Sequence, residues 1–386
     1  MTCFSRSGDD NFARVLEKNG LLDFYALGTR RGTAGVSPGH TRLNPFFGLL
    51  NYLFALTLPS YQAESLRFRT FGLFGLWSRS LLKPGQPLFT AYAFANEAMR
   101  WAKQHGAPVL IDAWTSHPQE FWNLLTEEQQ RWGSPYPPVS RYYQRRALET
   151  AQLADYIFTP SHFVRNSFLR QGVAPERLLL CPYPLDLQVF TPPTEPRPAD
   201  RPLTLLNTGG VSFRKGTPYL LEAFRIIRRT EPTAVLRLSK VIRNEMRDVL
   251  RRYSDVPIAW VGRVELAAHV RRYQSSDLLL FPSLEDGFAF VVAEALACGL
   301  PVITTPNTGA SDLIRPGENG EIVPIRDPEA LAEAALKWWA KIRADHRIGG
   351  RAELQERLSF ATFERTFLGH LKKIGLANNT TPNQIA

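Results

Sequence analysis

Short apolar runs alternate with helix-like apolar spacing along most of the chain, which is typical of βα units around a parallel sheet. In the second half, a helix is predicted over 217–229 and strands at 203–206, 235–239, 258–262, 278–281 and 301–304. In the first half, helices are predicted over 13–18 and 96–105, and strands at 22–27, 87–90, 109–113 and 156–160. The pattern therefore predicts an α/β protein with two doubly wound units.

A proline-rich segment separates the two alternating regions. Residues 191–202 contain prolines at positions 192, 193, 196, 198 and 202. Proline at this density forms an extended, semi-rigid connector that buries little. We therefore predict a first domain over residues 1–190, a linker over 191–202 and a second domain over 203–360, with a ligand cleft between facing strand ends. The polar residues 377–386 are expected to form a disordered tail.

The composition is that of an ordinary globular protein with a basic surface. Of 386 residues, 44% are apolar and 21% are charged, and the formal net charge is +10. A basic excess favours anionic partners such as phosphorylated ligands, nucleic acid or an acidic membrane surface. The basic residues are dispersed along the chain, whereas nucleic-acid-binding proteins concentrate them on one face, so no nucleic-acid partner is expected.

Cysteine usage and the N-terminal sequence indicate a cytoplasmic protein. Cys3, Cys181 and Cys298 form no CxxC pair, and such isolated cysteines suit a reducing compartment. No His/Cys grouping has the spacing of metal ligands, so we predict neither a metal site nor a bound cofactor. The first ten residues lack the apolar core of a signal peptide, and no apolar run is long enough to cross a bilayer.

The most informative segment lies between residues 278 and 303. It reads as a strand, a tight turn containing Asp286 and Gly287, and a helix that begins inside the turn. Free backbone N–H groups at such a helix start bind anions or hydroxyl-rich ligands. Glu294 lies eight positions after Asp286. Two carboxylates of one strand–turn–helix unit can therefore contact two parts of one polar ligand.

This segment resembles the acidic signature of the retaining GT-B glycosyltransferases of family 4. That family has Glu-Gly-Phe, a second Glu eight positions after the first, and then a Gly-Leu-Pro-Val stretch. Here the pattern reads Asp286-Gly287-Phe288, then Glu294, then Gly-Leu-Pro-Val at 299–302. Upstream, Arg214-Lys215-Gly216 opens a predicted helix as the family's Lys-Gly does. The similarity extends over about residues 145–375 and is thin before them.

The resemblance implies a fold and a reaction. It implies the GT-B fold, with two Rossmann-like domains facing a cleft and a helix over 361–376 that crosses back to the first domain. It also implies a retaining enzyme that moves a sugar from a nucleoside diphosphate sugar, bound mainly by the second domain. The acceptor, a glycan or a lipid-linked molecule, is expected on the first domain.

The resemblance also implies roles for single residues. For donor binding, it assigns the ribose hydroxyls to Glu294 and the diphosphate to Arg214 and Lys215. The backbone N–H groups of Gly287, Phe288 and Ala289 are expected to hold sugar hydroxyls. Fixed cations at the diphosphate stabilise the charge that develops as the glycosidic bond breaks, which makes a divalent metal unnecessary.

Two polar side chains are expected around the transferred sugar as the catalytic pair. One is Asp286, and the other is His117, which follows the predicted buried strand at 109–113. Ligands gather at the carboxyl ends of strands in open sheets, and family members often place a histidine there. Neither residue is expected to form a covalent intermediate.

The chain departs from the family pattern in three places. Asp286 stands where the family usually has Glu, and the preceding Glu285 could substitute, although its spacing to Glu294 is nine positions. The family's Gly-Arg is replaced by glycines at 209 and 210, and Arg214 could supply the missing guanidinium. Near the N-terminus, the first strand looks truncated and the family's glycine loop is reduced to Gly8.

Each candidate residue also has a purely structural explanation. Asp286 and His117 could each cap the helix that follows it. Arg214 and Lys215 could be a solvated pair in a turn, and Glu294 could be a surface acid on a helix. Three other functions compete with sugar transfer: a non-catalytic sugar-nucleotide sensor, another GT-B enzyme such as an epimerase or a phosphorylase, and a nucleic-acid-binding protein.

Residues 45–83 combine aromatic and basic side chains. Positions 46, 49, 50, 53 and 54 form an apolar stripe at helical spacing, and the later part interleaves arginines with phenylalanines. This combination suits peripheral contact with an anionic membrane, at the inner membrane face for a cytoplasmic protein. The alternative is a core helix followed by a loop that packs on the sheet.

Overall fold

A computed structural model describes residues 1–5, 10–28, 35–57, 60–136, 139–195, 198, 200–344 and 348–377. Two expectations, the glycine loop at Gly8 and the tail at 377–386 beyond its first residue, lie outside the described residues. In residues 191–195, the described start of the linker, no helix or strand is present.

The first domain is built on a seven-stranded sheet in the order β3-β2-β1-β4-β5-β6-β7. Its strands are β1 (Thr2–Ser5), β2 (Phe24–Leu27), β3 (Thr41–Leu43), β4 (Leu88–Ala91), β5 (Val109–Asp112), β6 (Tyr156–Thr159) and β7 (Leu178–Leu180). The helices between them are α1 (Asp10–Lys18), α2 (Pro45–Thr57), α3 (Ser60–Arg79), α4 (Asn96–Gln104), α5 (Pro118–Trp132), α6 (Arg141–Leu153) and α7 (His162–Arg170). The pairings of these strands are all parallel.

The N-terminal strand is an inner strand of this sheet. The expectation that it is truncated is wrong, because all four residues of β1 pair with β2, and two of them also pair with β4. Its residue Thr2 is fully buried. An inner strand with neighbours on both sides needs few residues, since each one can form hydrogen bonds on both edges.

The second domain is built on a six-stranded parallel sheet in the order β10-β9-β8-β11-β12-β13. Its strands are β8 (Thr204–Asn207), β9 (Val235–Ser239), β10 (Ile258–Val261), β11 (Leu278–Phe281), β12 (Val302–Thr304) and β13 (Gly320–Ile322). Its helices are α8 (Thr217–Thr230), α9 (Arg247–Arg252), α10 (Leu266–Gln274), α11 (Phe290–Ala297), α12 (Pro328–Arg343) and α13 (Arg351–Arg357). The two parallel sheets confirm the predicted α/β fold class.

The last helix, α14 (Phe360–Lys373), packs on the sheet of the first domain. Its buried Phe363 and Phe367 lie against Phe12 of α1, with ring centroids 5.0 and 4.9 Å apart. Glu364 accepts a hydrogen bond of 2.7 Å from Lys18 at the end of α1. Helices α1 and α14, which are far apart in the sequence, therefore pack in the same hydrophobic core.

Residues 45–57 and 60–79 form two helices, so the loop of the alternative explanation is absent from the described part of this segment up to residue 79. On α3, the aromatic residues Phe68, Phe71 and Phe74 are buried in the first domain. On α2, three residues of the predicted stripe are exposed, Phe46 (52%), Leu49 (56%) and Leu53 (43%), whereas Leu50 and Phe54 are half-buried. None of the described helices is long and apolar enough to cross a membrane.

Truncating Phe367 to alanine tests how strongly α14 holds the first domain. The ring is fully buried and contacts Phe12, Phe89 and Phe158. We expect Phe367→Ala to lower the free energy of unfolding by about 3–5 kcal/mol because it leaves a cavity. Urea denaturation measures this change. Phe46→Ala, a truncation at an exposed ring, should stay within about 0.5 kcal/mol, and equal losses in both variants would contradict the packing role of α14.

Candidate active site

Loops at the carboxyl ends of the two sheets meet across the cleft between the domains. The loop after β11 contains Glu285 and Gly287, and both accept hydrogen bonds from the first domain. Glu285 Oε1 accepts one of 2.9 Å from the backbone N–H of Ser116, which follows β5. The carbonyl oxygen of Gly287 accepts one of 2.7 Å from Ser161 Oγ, which follows β6. The acidic turn thus lies where ligands bind in open α/β sheets.

The absence of a side chain at Gly287 permits this approach. A Cβ atom at position 287 would lie 1.8 Å from the carbonyl oxygen of Trp114, and a Cβ atom at Gly309 would lie 2.1 Å from the carbonyl oxygen of Gly287. Both obstacles are backbone atoms, which cannot swing aside as a side chain can. Gly287, whose obstacle belongs to the first domain, therefore sets the spacing of the two domains, whereas Gly309 packs on Gly287 within the second domain.

The predicted cations Arg214 and Lys215 lie beside the acidic turn. Gly216, with φ near +65°, begins α8, and a Cβ atom there would lie 1.9 Å from the carbonyl oxygen of Pro282. This close packing brings the basic turn onto the end of β11. Arg214 forms an ion pair of 2.9 Å with Glu285, and Lys215 forms one with Asp286. The four charged groups therefore neutralise one another in pairs.

Burial and neighbouring charges both shift the pKa values of these groups. Burial raises the pKa of Asp286, but the charges of Lys215 and Arg214 offset this effect, so that the pKa lies below its ordinary value. Burial, with the neighbouring charge of Arg214, lowers the pKa of Lys215. Burial also opposes the charge of Arg214, yet Glu285 and Asp286 hold the arginine's pKa above its usual value.

Asp286 also orders the turn that precedes α11. Its Oδ1 accepts hydrogen bonds from the backbone N–H groups of Phe288 (3.3 Å) and Ala289 (3.0 Å). Ala289 has a positive φ of 59°, and α11 begins one residue later, outside the turn. Two of the three N–H groups predicted for sugar hydroxyls thus already bind the carboxylate of Asp286. Both precede α11, so Asp286 orders the turn and does not cap the helix.

Glu294 is held by two side chains of α10. Tyr273 donates its hydroxyl to Glu294 Oε2 at 2.6 Å, and His269 Nε2 lies 3.2 Å from the same oxygen. Tyr273 is fully buried, which raises the pKa of its hydroxyl. These partners were missed in the sequence, although their spacing of four residues puts both on one face of a helix. Glu294 is an oriented carboxylate rather than a loose surface acid.

His117 caps α5, as its structural explanation predicted. Its Nδ1 accepts a hydrogen bond of 3.2 Å from the backbone N–H of Gln119. The backbone N–H of His117 donates to Ser167 Oγ at 2.8 Å. Burial lowers the pKa of the imidazole. His117 directly follows Ser116, which donates to Glu285, so the cap also lies next to the contact between the domains.

An aromatic contact beside the turn was also missed in the sequence. The ring of Tyr183 stacks on Phe290, with centroids 5.7 Å apart, and lies 5.3 Å from Phe288. The Tyr183 hydroxyl donates to Asp112 at the end of β5 (2.7 Å). Tyr183 follows β7 without a recognisable motif, so only the folded chain brings it to the turn.

Comparison with known proteins gives a family for the second domain. Residues 202–341 match the family model described as "Glycosyl transferases group 1". This segment contains Arg214, Lys215, Asp286 and Glu294. The second domain is therefore similar to group 1 glycosyltransferases, over about a third of the chain.

Curated relatives match over limited stretches. A D-inositol 3-phosphate glycosyltransferase of Pseudarthrobacter chlorophenolicus is 29% identical over 223 residues, which cover 52% of this chain and 50% of the relative. One of Geodermatophilus obscurus is 28% identical over 181 residues, covering 42% and 40%. The chain thus spans half or less of the length of these two relatives.

Solved structures match over nearly the whole chain. Sucrose-phosphate synthase of Thermosynechococcus elongatus is 19% identical, with a TM-score of 0.67, covering 98% of this chain and 99% of that one. HepE of Anabaena, in complex with UDP and glucose, is 15% identical, with a TM-score of 0.61, covering 96% and 99%. At these identities the likeness concerns the architecture. The chain has the GT-B fold, as predicted.

The described residues contain no group of three or more histidine, cysteine, aspartate or glutamate side chains that could hold a metal ion. The charged groups gathered at the turn are instead two cations and two carboxylates in two ion pairs.

Adding one methyl group to Gly287 tests whether this glycine sets the domain spacing of the GT-B cleft. We expect Gly287→Ala to separate the domains, because the Cβ atom would overlap the backbone of Trp114. Small-angle X-ray scattering should then show a larger radius of gyration. Gly262→Ala is the control, since a Cβ atom there meets nothing within 4 Å. An unchanged scattering profile for Gly287→Ala would show that the spacing is set elsewhere.

Proposed function

We propose that this protein is a retaining glycosyltransferase. It moves one sugar from a nucleoside diphosphate sugar to a glycan or lipid-linked acceptor, without a divalent metal. The observation that carries the proposal is the grouping of Arg214 and Lys215 with the acidic turn, at the strand ends that face the first domain. The match of the second domain to group 1 glycosyltransferases supports the same reaction.

Complementary groups are available for two parts of the donor, the diphosphate and the ribose. Arg214 and Lys215 receive the diphosphate, whose negative charge grows as the glycosidic bond breaks, so fixed cations stabilise the transition state more than the ground state. Because these cations are parts of the fold, they can take the role that a divalent metal has in other enzymes. Glu294, oriented by Tyr273 and His269, accepts hydrogen bonds from the ribose hydroxyls.

The acceptor binds on the first domain, at the edge that carries His117 and Ser116. Closure of the cleft brings it against the turn at Gly287 and excludes water. We assign Asp286 and His117 to the surroundings of the transferred sugar. Asp286 is bonded to Lys215 and to two backbone N–H groups, so its contribution is electrostatic. The assignment of retained configuration rests on the resemblance of the acidic signature to family 4.

The sensor alternative has one observation in its favour. Both proposed diphosphate-binding cations are paired with carboxylates in the structure, so neither is free to stabilise developing charge until its carboxylate is displaced. A sensor binds one sugar nucleotide and leaves it intact, whereas an epimerase would change the sugar without transferring it. Product analysis therefore separates these functions.

Replacing Glu294 with alanine tests the donor site. Wild type should release a nucleoside diphosphate from one member of a panel of sugar nucleotides, beginning with UDP-glucose. Glu294→Ala should weaken donor affinity by about 10- to 100-fold, since it loses hydrogen bonds to a charged group worth about 1.5–3 kcal/mol. Release is followed by chromatography, and the anomeric configuration of the product by NMR.

The control for this experiment is Glu333→Ala, which removes an exposed glutamate of α12 and should release nucleotide at the wild-type rate. Binding without release would favour the sensor. A product of inverted configuration would contradict a retaining mechanism, and equal donor affinities of wild type and Glu294→Ala would contradict the assignment of the ribose to Glu294.

We also propose that α2 contacts an anionic membrane surface. Its exposed apolar residues fall within an arc of about 120° at roughly 100° per residue, and they are Phe46, Leu49, Tyr52, Leu53 and Leu56. Exposed basic residues precede α2 or lie on or just after the adjoining α3: Arg42, Arg69, Arg79 and Lys83. An apolar face with a basic surround is complementary to an anionic lipid surface, where a lipid-linked acceptor would be found.

Flotation with liposomes tests this contact. Wild type should float with vesicles that contain phosphatidylglycerol. With vesicles of pure phosphatidylcholine, it should stay at the bottom of the gradient. Leu49→Ser combined with Leu53→Ser should abolish flotation, whereas Leu266→Ser, which alters an exposed leucine of α10, should not. Absence of wild-type flotation with anionic vesicles would disprove the contact.

A further inference from the structure

We propose that Glu285 is a positioning residue that competes with the donor's diphosphate for Arg214 and makes the competition depend on domain closure. Its side chain is fully buried. Its Oε2 atom pairs with Arg214 of the second domain at 2.9 Å, and its Oε1 atom accepts the N–H of Ser116 of the first domain at 2.9 Å. The inference rests on the proposed function, in which Arg214 binds the diphosphate.

The two members of this ion pair have different environments. The side chain of Glu285 is 0% exposed, whereas that of Arg214 is 34% exposed. The guanidinium has five N–H donors, and the contacts with Glu285 described above involve one terminal nitrogen. Arg214 can therefore turn toward an anion in the cleft, while Glu285 has to remain enclosed.

Loss of Arg214 would leave Glu285 in an unfavourable state. A buried carboxylate without its cation is strongly destabilised, because the charge has lost its solvation by water. Among the described hydrogen bonds of its carboxylate, the one from the Ser116 N–H would remain after such a loss, and it exists only while the domains are in contact. A ligand can therefore displace Glu285 only if it attracts Arg214 more strongly than one carboxylate does. A diphosphate meets this condition because its negative charge is higher.

This arrangement predicts the direction of a charge-removing change. Glu285→Gln keeps the shape of the side chain and an oxygen for Ser116, but it removes the negative charge beside Arg214. Without that charge, the diphosphate no longer has to displace a carboxylate from Arg214, and this gain outweighs the lost ordering of one arginine side chain. We therefore expect Glu285→Gln to bind a diphosphate more tightly than wild type does.

Glu128 provides a matched control. It is also a fully buried carboxylate that connects the domains, since it accepts a hydrogen bond of 2.8 Å from Tyr219 and pairs with Arg326. None of its described contacts involves Arg214 or Lys215. Glu128→Gln thus removes an interdomain charge of the same kind without removing a competitor for the diphosphate.

Calorimetry with inorganic pyrophosphate measures the competition. The proteins are wild type, Glu285→Gln, Glu128→Gln, Arg214→Gln and the double variant Arg214→Gln/Glu285→Gln. We expect Glu285→Gln to bind pyrophosphate about tenfold more tightly, equivalent to about 1.4 kcal/mol, and Glu128→Gln to stay within about twofold of wild type. Arg214→Gln should bind more weakly, and adding Glu285→Gln to it should give no tightening.

Several results would overturn the inference. They are unchanged or weaker binding by Glu285→Gln, equal tightening by Glu128→Gln, or tightening that persists without Arg214. If wild type binds neither pyrophosphate nor any nucleoside diphosphate, the proposed function fails as well. Thermal unfolding checks that each variant is folded. If Glu285→Gln does not fold, Glu285→Asp serves instead, since the shorter side chain draws back from Arg214 and should give a smaller tightening.

Discussion

The closed cleft depends on a carboxylate that two domains share. Glu285 is enclosed by protein, and its two oxygens bind Arg214 on one side and the backbone of Ser116 on the other. A charge in such a place is tolerable only while both partners are present. The position of the basic turn and the contact between the domains are therefore energetically linked. The glycine at 287 makes this link possible, because any side chain there would push the backbones apart.

Charge balance is the second property of the site. Arg214 and Lys215 carry two positive charges, and the adjacent Glu285 and Asp286 carry two negative ones. Without a ligand, the site is thus electrically satisfied, although it is largely buried. In the proposed function, a diphosphate that enters this site replaces the protein carboxylates as the partner of the cations. Donor binding would then be an exchange of anions, and its strength would depend on which anion the two cations bind more tightly.

The architecture connects distant parts of the chain to this exchange. The last helix, α14, lies on the first sheet beside α1, so it anchors the second half of the chain to the first at a place separate from the acidic turn. Glu128, with Tyr219 and Arg326, provides another contact across the cleft. Contact between the domains is therefore also supported by packing and by a buried carboxylate that lie apart from the acidic turn.

The sequence determined the fold class and the local order of the residues in the acidic turn. Alternating apolar runs predicted the inner strands β8, β9 and β11 because a buried parallel strand must be apolar on both faces. The spacing of Asp286, Gly287 and Glu294 placed these residues on one strand–turn–helix unit, because their separation is local. Only the tertiary structure decided their partners. Glu285 meets Ser116 across 169 positions, and nothing in either local sequence encodes that distance.

The difference between local sequence and tertiary contacts also explains which sequence predictions were wrong. β1 looked truncated because a four-residue strand has no strong pattern, and its neighbours β2 and β4 stabilise it. The apolar face of α2 had the spacing of a core helix, yet whether such a face turns inward depends on what the rest of the fold offers to cover it. Local periodicity is set by bonds along the chain, whereas burial and charge pairing are set by contacts between distant segments.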